Sequence, residues 1–269
     1  MIKHIINGQH VESEDVFESI NPATGKVIAE VASGGQKEVD SAVAAAKAAF
    51  PAKERSKIMH NVGDLITKHV PELAEMETND CGQVISQTLK SLIPRSANNF
   101  HYFAEIAEHM HGESYDSDTG HLNYTMQKPA GVCALISPWN VPFMTATWKT
   151  GPCLALGNTA VMKMSELSPM TVTRLGELMR EAGVPDGVFN IVHGFGQQAG
   201  EPLVSHPDVR AISFTGSTPT GNRIIRSAGL KKYSMELGGK SPFIIFDDAD
   251  YERALDAALF MIFSNNGQR

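Results

Sequence analysis

A carboxylate set directly before paired glycines, in Met235-Glu236-Leu237-Gly238-Gly239-Lys240, is the strongest chemical signal in this chain. A carboxyl desolvated between apolar neighbours is a candidate general base, and glycines let a substrate or a cofactor ring approach the backbone. The plain alternative is an exposed glutamate beside a turn. A second signal is Ser137-Pro138-Trp139-Asn140-Val141-Pro142. Two prolines stiffen this turn, so the Asn140 amide is held in one direction. It can then donate to a developing oxyanion, a contribution of about 3 kcal/mol to a transition state. Taken alone, an asparagine that merely closes its own turn is the commoner case.

Two further segments could bind rather than react. In Val161-Met162-Lys163-Met164-Ser165-Glu166 a lysine and a carboxylate stand three apart at the end of an apolar run. At a strand end both reach ribose hydroxyls, Lys163 donating and Glu166 accepting, and the carboxylate repels a 2′-phosphate, which favours NAD over NADP. A solvated lysine–glutamate pair is the alternative. In Phe214-Thr215-Gly216-Ser217-Thr218-Pro219 a strand leads through small residues to a helix start capped by Ser217 or Thr218. Free N–H groups there favour a phosphate, although the spacing is not that of a G-x-G-x-x-G loop. Gly194-Phe195-Gly196 and Gly200 form another glycine-rich turn. It provides backbone room for a cofactor or tight helix–strand packing, with equal weight.

Arg95, in Ile93-Pro94-Arg95, opens a helix at the end where the dipole disfavours a cation, so an anionic partner elsewhere is expected. A surface arginine paired with a neighbouring acid is the alternative. The three cysteines are odd in number and lack metal spacing. Cys133 in a strand and Cys153 in an apolar helix read as buried. Cys81, in a polar stretch, reads as exposed. None has the neighbours of a catalytic thiol, and no metal is expected.

The elements that must carry these groups follow from periodicity. Residues 1–31 read as hairpins, with turns at Asn7-Gly8 and Asn21-Pro22-Ala23-Thr24-Gly25. Residues 36–111 read as helical, from spacings such as Val39, Val43, Ala46, Phe50. An extended segment follows over 120–128. After Gly131 strands alternate with helices. Strands are expected at 132–137, 159–163, 188–192, 211–214, 232–235 and 243–246. Helices are expected at 143–156, from Ser168-Pro169 to Gly183, and at 197–205, 218–228 and 249–264. That alternation predicts an α/β fold with a doubly wound, mostly parallel sheet, and ligands at the carboxyl ends of its strands. A net charge of −7 over 269 residues argues against nucleic acid or anionic membrane as partner. No apolar run suits a membrane span or a signal peptide, and the cysteine usage suits reduced thiols, so a cytoplasmic location is expected.

The four motifs, in the order they occur along the chain, resemble the aldehyde dehydrogenase superfamily, and the resemblance covers essentially the whole chain. It implies NAD as cofactor and oxidation of a small-molecule aldehyde to a carboxylic acid through a thioester. Glu236 then activates the deacylating water and Asn140 serves the oxyanion. The implied cofactor residues are Ser137, Pro138, Trp139, Lys163, Glu166, Gly196, Phe214, Thr215, Gly216, Ser217, Leu237 and Gly238. The resemblance also implies a homodimer or homotetramer, with residues 113–130 beginning an oligomerisation arm. In the family a Gly-Gln-x tripeptide precedes the nucleophilic cysteine. Gly267-Gln268-Arg269 matches it. Residues 1–269 are thus expected to form an NAD-binding domain that stops before the nucleophile and the catalytic domain, and to be inactive alone. A non-catalytic NAD-binding or oligomerising module is the alternative. Pro142–Thr150 and Leu230–Glu236 are similar to the branch acting on muconate-type semialdehydes. There an Ile-Pro-Arg segment borders the substrate funnel, which makes Arg95 a candidate grip on a substrate carboxylate. The segment Phe50-Pro51-Ala52-Lys53 departs from the family by being several residues short.

Overall fold

A computed structural model describes residues 1–49 and 54–268. Phe50–Lys53, with the shortened linker, and Arg269 lie outside the described residues. The chain opens with two hairpins, β1 (His4–Ile6) with β2 (Gln9–Val11) and β3 (Val16–Ile20) with β4 (Val27–Ala32). Asn7 and Gly8 both take positive φ, as a two-residue hairpin turn requires. Asn21 Oδ1 accepts from the N–H groups of Ala23 and Thr24 to shape the second turn.

The helices α1 (Gln36–Ala48), α2 (Arg55–Lys68) and α3 (Val70–Cys81) follow. A short turn α4 (Ile85–Gln87) and a π-helical turn over Thr88–Leu92 run without a break into α5 (Ile93–His109). A small ladder pairs β5 (Ser114–Tyr115) with β6 (Asn123–Tyr124).

The remainder alternates: β7 (Val132–Ser137), α6 (Pro142–Ala155), β8 (Thr159–Met164), α7 (Met170–Glu181), β9 (Phe189–Ile191), α8 (Glu201–Ser205), β10 (Val209–Thr215), α9 (Thr218–Ala228), β11 (Lys232–Glu236) and α10 (Tyr251–Phe263). The main sheet runs β11-β10-β7-β8-β9-β1-β2, parallel from β11 to β9 and antiparallel from β1 outward. Strand order reverses between β7 and β10, the switch point where a doubly wound sheet opens a crevice. Side chains alternate across the sheet. Cys133, Leu135, Ala160 and Met162 enter a core shared with α2, α3, α5, α6 and α7. Val132, Ala134 and Val161 enter a second core under α1, α8 and α9. Every residue of β8 is buried, as a central strand covered on both faces must be.

Three expectations need correction. Residues 243–246 form no strand; Phe243, Ile244, Ile245 and Phe246 run exposed along the surface, and an apolar run without a partner strand has no ladder to join. Ser168 does not cap α7, since its buried hydroxyl has no partner among the described residues, and Asp80 Oδ2 accepts from Met170 N instead. Arg95 does not stand at a helix beginning, because the π turn continues the backbone upstream and removes the unfavourable dipole end.

Candidate functional site

One cleft of about 1490 Å³ lies along the carboxyl ends of β7, β8, β10 and β11, at the switch point. Every catalytic and cofactor residue expected from the sequence lines it: Ser137 to Asn140 after β7, Lys163 and Glu166 around the end of β8, Gly196 after β9, Phe214 to Ser217 at the end of β10, and Glu236 to Gly238 at the end of β11. Arg95 alone stands outside it. Parallel register explains the convergence, because Phe214 pairs with Ile136 and Thr215 with Glu236, bringing successive strand ends to one level.

At the β8 end, Lys163 is 5% exposed and its Nζ lies 3.4 Å from Glu166 Oε2. Burial lowers the lysine pKa, and Glu166 opposes that shift. At the β10 end, Ser217 caps α9 by accepting from Thr220 N at 3.4 Å, and Pro219 occupies the first turn. A Cβ on Gly216 would come 2.5 Å from the Phe214 ring. The second glycine turn divides its roles. A Cβ on Gly194 would meet Gly34 O at 2.8 Å, which is close packing, whereas one on Gly196 would meet nothing within 4 Å and would project into open space.

In the β7 turn, Asn140 Nδ2 donates to Gln268 O at 2.7 Å, so the amide is aimed at the described end of the chain. Its backbone carbonyl accepts from Gln83 Nε2. The buried Ser137 Oγ and Asn140 Oδ1 have no partner among the described residues. Glu236 is not enclosed as its apolar neighbours suggested. The residue is exposed, because β11 is the outermost strand and the alternation along it turns Tyr233 and Met235 inward. Arg95 is exposed and stacks over the Trp148 ring at 5.7 Å; among the described residues it has no carboxylate partner within 4.0 Å. Cys81 is buried, not exposed, because the end of α3 meets the Asn21-Pro22 turn through Asn79 and Gly82, and burial pushes its thiol up. Cys133 and Cys153 are buried as expected, and none of the three lines the cleft.

Sequence reasoning missed several polar groups around the cleft. Lys149 is 8% exposed on α6 and donates to Thr215 Oγ1 at 2.7 Å and Ser213 Oγ at 3.3 Å. Burial pulls its ammonium down to about 8, against the pull of nearby Glu236. Its signal was a single charge inside the otherwise uncharged run Pro142–Ala155. Glu77 and Asp80, three apart on α3, and Gln83 just beyond its end were also missed.

Comparison with known proteins gives a consistent outcome. The aldehyde dehydrogenase family pattern matches residues 10–269. A 5-carboxymethyl-2-hydroxymuconate semialdehyde dehydrogenase of Escherichia coli is 61% identical over 274 residues, covering 100% of this chain and 58% of the relative. A 2-hydroxymuconic semialdehyde dehydrogenase of Pseudomonas sp. (strain CF600) is 46% identical, covering 99% and 58%. The NAD+ complex of an aldehyde dehydrogenase from Bacillus cereus superposes with TM-score 0.96 at 39% identity, covering 100% of this chain and 57% of that one. The chain thus spans a little over half the length of the curated relatives it matches.

Proposed function

The chain belongs to the aldehyde dehydrogenase family, and from that premise we propose that residues 1–269 are the NAD-binding part of an enzyme oxidising an aldehyde to a carboxylic acid. The observation that carries this is the convergence of separate strand ends on one cleft. Its volume of about 1490 Å³ exceeds the usual range for small ligands and suits a dinucleotide. The residues present fit that group. Ser137 Oγ is an orphaned buried hydroxyl at the cleft, and Gly196 leaves its wall open.

Lys163 would donate to, and Glu166 accept from, the hydroxyls of the adenosine ribose. The N-terminus of α9 would face a phosphate with its free N–H groups and dipole. Bound NAD supplies the hydride acceptor. The Asn140 amide would donate to the carbonyl oxygen as negative charge develops there, and Glu236 would take a proton from the water that hydrolyses the thioester, releasing the acid and a thiol that is none of Cys81, Cys133 and Cys153. The exposure of Glu236 gives it direct access to that water. In this reading residues 113–130 begin an oligomerisation arm. The guanidinium of Arg95, held against Trp148 with one side open, grips the carboxylate of a muconate-type semialdehyde.

None of the three thiols lines the cleft, so residues 1–269 by themselves are expected to bind NAD without oxidising aldehyde. Calorimetric titration with NAD, alongside an assay for NADH with several aldehydes, tests both halves. Absence of NAD binding overturns the assignment, and turnover by the chain overturns the inactivity. The second reading, a non-catalytic NAD-binding or oligomerising module, draws on α10, which has no buried residue along its length and offers an apolar face to a partner.

A further inference from the structure

The buried polar groups at the end of α3 take no part in the chemistry above, yet they touch the segments that carry it. Glu77 and Asp80 stand almost one helical turn apart and are 0% and 1% exposed. Gly82 then turns the chain in the left-handed conformation and presents Gln83, 1% exposed. Glu77 Oε1 accepts from Phe143 N at the start of α6, and its Oε2 accepts from Thr171 Oγ1 at the start of α7. Asp80 Oδ2 accepts from Met170 N, also at the start of α7, while Oδ1 accepts from Ser19 Oγ on β3. Gln83 Nε2 donates to the Asn140 carbonyl. The starts of α6 and α7 directly follow the turns bearing Asn140 and Glu166.

We propose that Glu77, Asp80 and Gln83 form a buried bracket that sets the spacing of these two strand-to-helix turns, and so act as positioning residues for the cofactor cleft. The proposal rests on the reading of the cleft as an NAD site. The physical basis is helix capping from a distance. The first N–H groups of a helix have no intrahelical partner, and neither α6 nor α7 receives a side-chain cap from its own N-cap residue. The acceptors come instead from α3, which ties both helix starts to one rigid element. Burial pushes Glu77 up to about 8 and Asp80 up to about 7. Burial thus favours the uncharged form of both, and an uncharged amide of the same shape is a close replacement.

The test uses the full chain, hydrogen exchange at individual amides and calorimetric titration with NAD. In Glu77→Ala and Asp80→Ala, exchange is expected to accelerate at Phe143 and Met170 respectively, and NAD affinity to fall roughly 2- to 30-fold, the span for residues acting on a site they do not touch. Glu77→Gln and Asp80→Asn keep an oxygen acceptor and should restore affinity to within about twofold of wild type. Alanine variants that leave both readouts unchanged overturn the proposal, as do amide variants no better than alanine, which is the mark of a merely structural role. If the alanine variants do not fold, Gln83→Leu decides, because it removes only the bond to the Asn140 carbonyl. Lower NAD affinity supports the bracket, and wild-type affinity overturns it. A wild-type chain that does not bind NAD, with the exchange changes still confined to both helix starts, overturns the NAD reading and leaves the bracket standing.

Discussion

Replacing Lys149 by methionine should change how stability depends on pH. The buried ammonium titrates near 8, against 10.5 for the free side chain, with desolvation as the main cause. Below pH 8 the lysine is protonated in both states, and the folded state bears the full cost of burying the charge. Between 8 and 10.5 the unfolded chain binds more protons than the folded one, so stability rises with pH. At about 1.36 kcal/mol per pH unit, the rise over that window is about 3 kcal/mol. Methionine has similar length and no charge, so Lys149→Met loses this rise. Its bonds to Thr215 Oγ1 and Ser213 Oγ are lost as well, a cost that does not vary over the window. Urea unfolding of both proteins at pH 7.5 and 10.5 gives the comparison. The wild-type chain should gain about 3 kcal/mol on the variant between the two pH values. A difference that stays flat to within about 0.5 kcal/mol refutes the picture of a buried charge near Glu236.

Three further outcomes can be measured. Glu166→Gln should narrow the preference for NAD over its 2′-phosphorylated form by about tenfold, read as the ratio of the two dissociation constants; an unchanged ratio removes Glu166 from the ribose. His193 and His4 are held down to about 3 and about 4, chiefly by burial, so they are neutral in the fold. The unfolded imidazoles take up protons below about 6.5, and stability is lost as pH falls from there towards 4, with about 3 kcal/mol attributable to His193. His193→Asn should flatten that acid limb, and a limb of wild-type slope contradicts the assignment. Finally, a chromogenic disulfide reagent should label Cys81, Cys133 and Cys153 rapidly only in denaturant; a thiol reacting at the free rate in the native chain contradicts their burial.

The candidate site was legible because each of its parts is a local pattern. Lys163 and Glu166, the Ser217 cap and the glycines at 238 and 239 sit where a strand gives way to a turn, and strand, turn and helix start are written within about ten residues. The N-cap at Ser217 and the hairpin turn at Asn7-Gly8 formed as expected for that reason. Where the local reading failed, a distant partner had intervened. Ser168 was passed over as a cap because Asp80, 90 residues earlier, reaches Met170 first.

The sequence by itself determined the alternation of strands and helices, the family, and the residues that face the cleft, since hydrophobic period and turn chemistry act over short distances. Only the tertiary structure decided that β1 joins the sheet beside β9, that Glu236 lies open at an edge strand, that Lys149 is buried against Thr215, and that Glu77 and Asp80 are buried against the starts of α6 and α7. Those outcomes depend on which surfaces meet across the fold. Burial, charge state and distant capping are properties of such meetings, and no single segment encodes them.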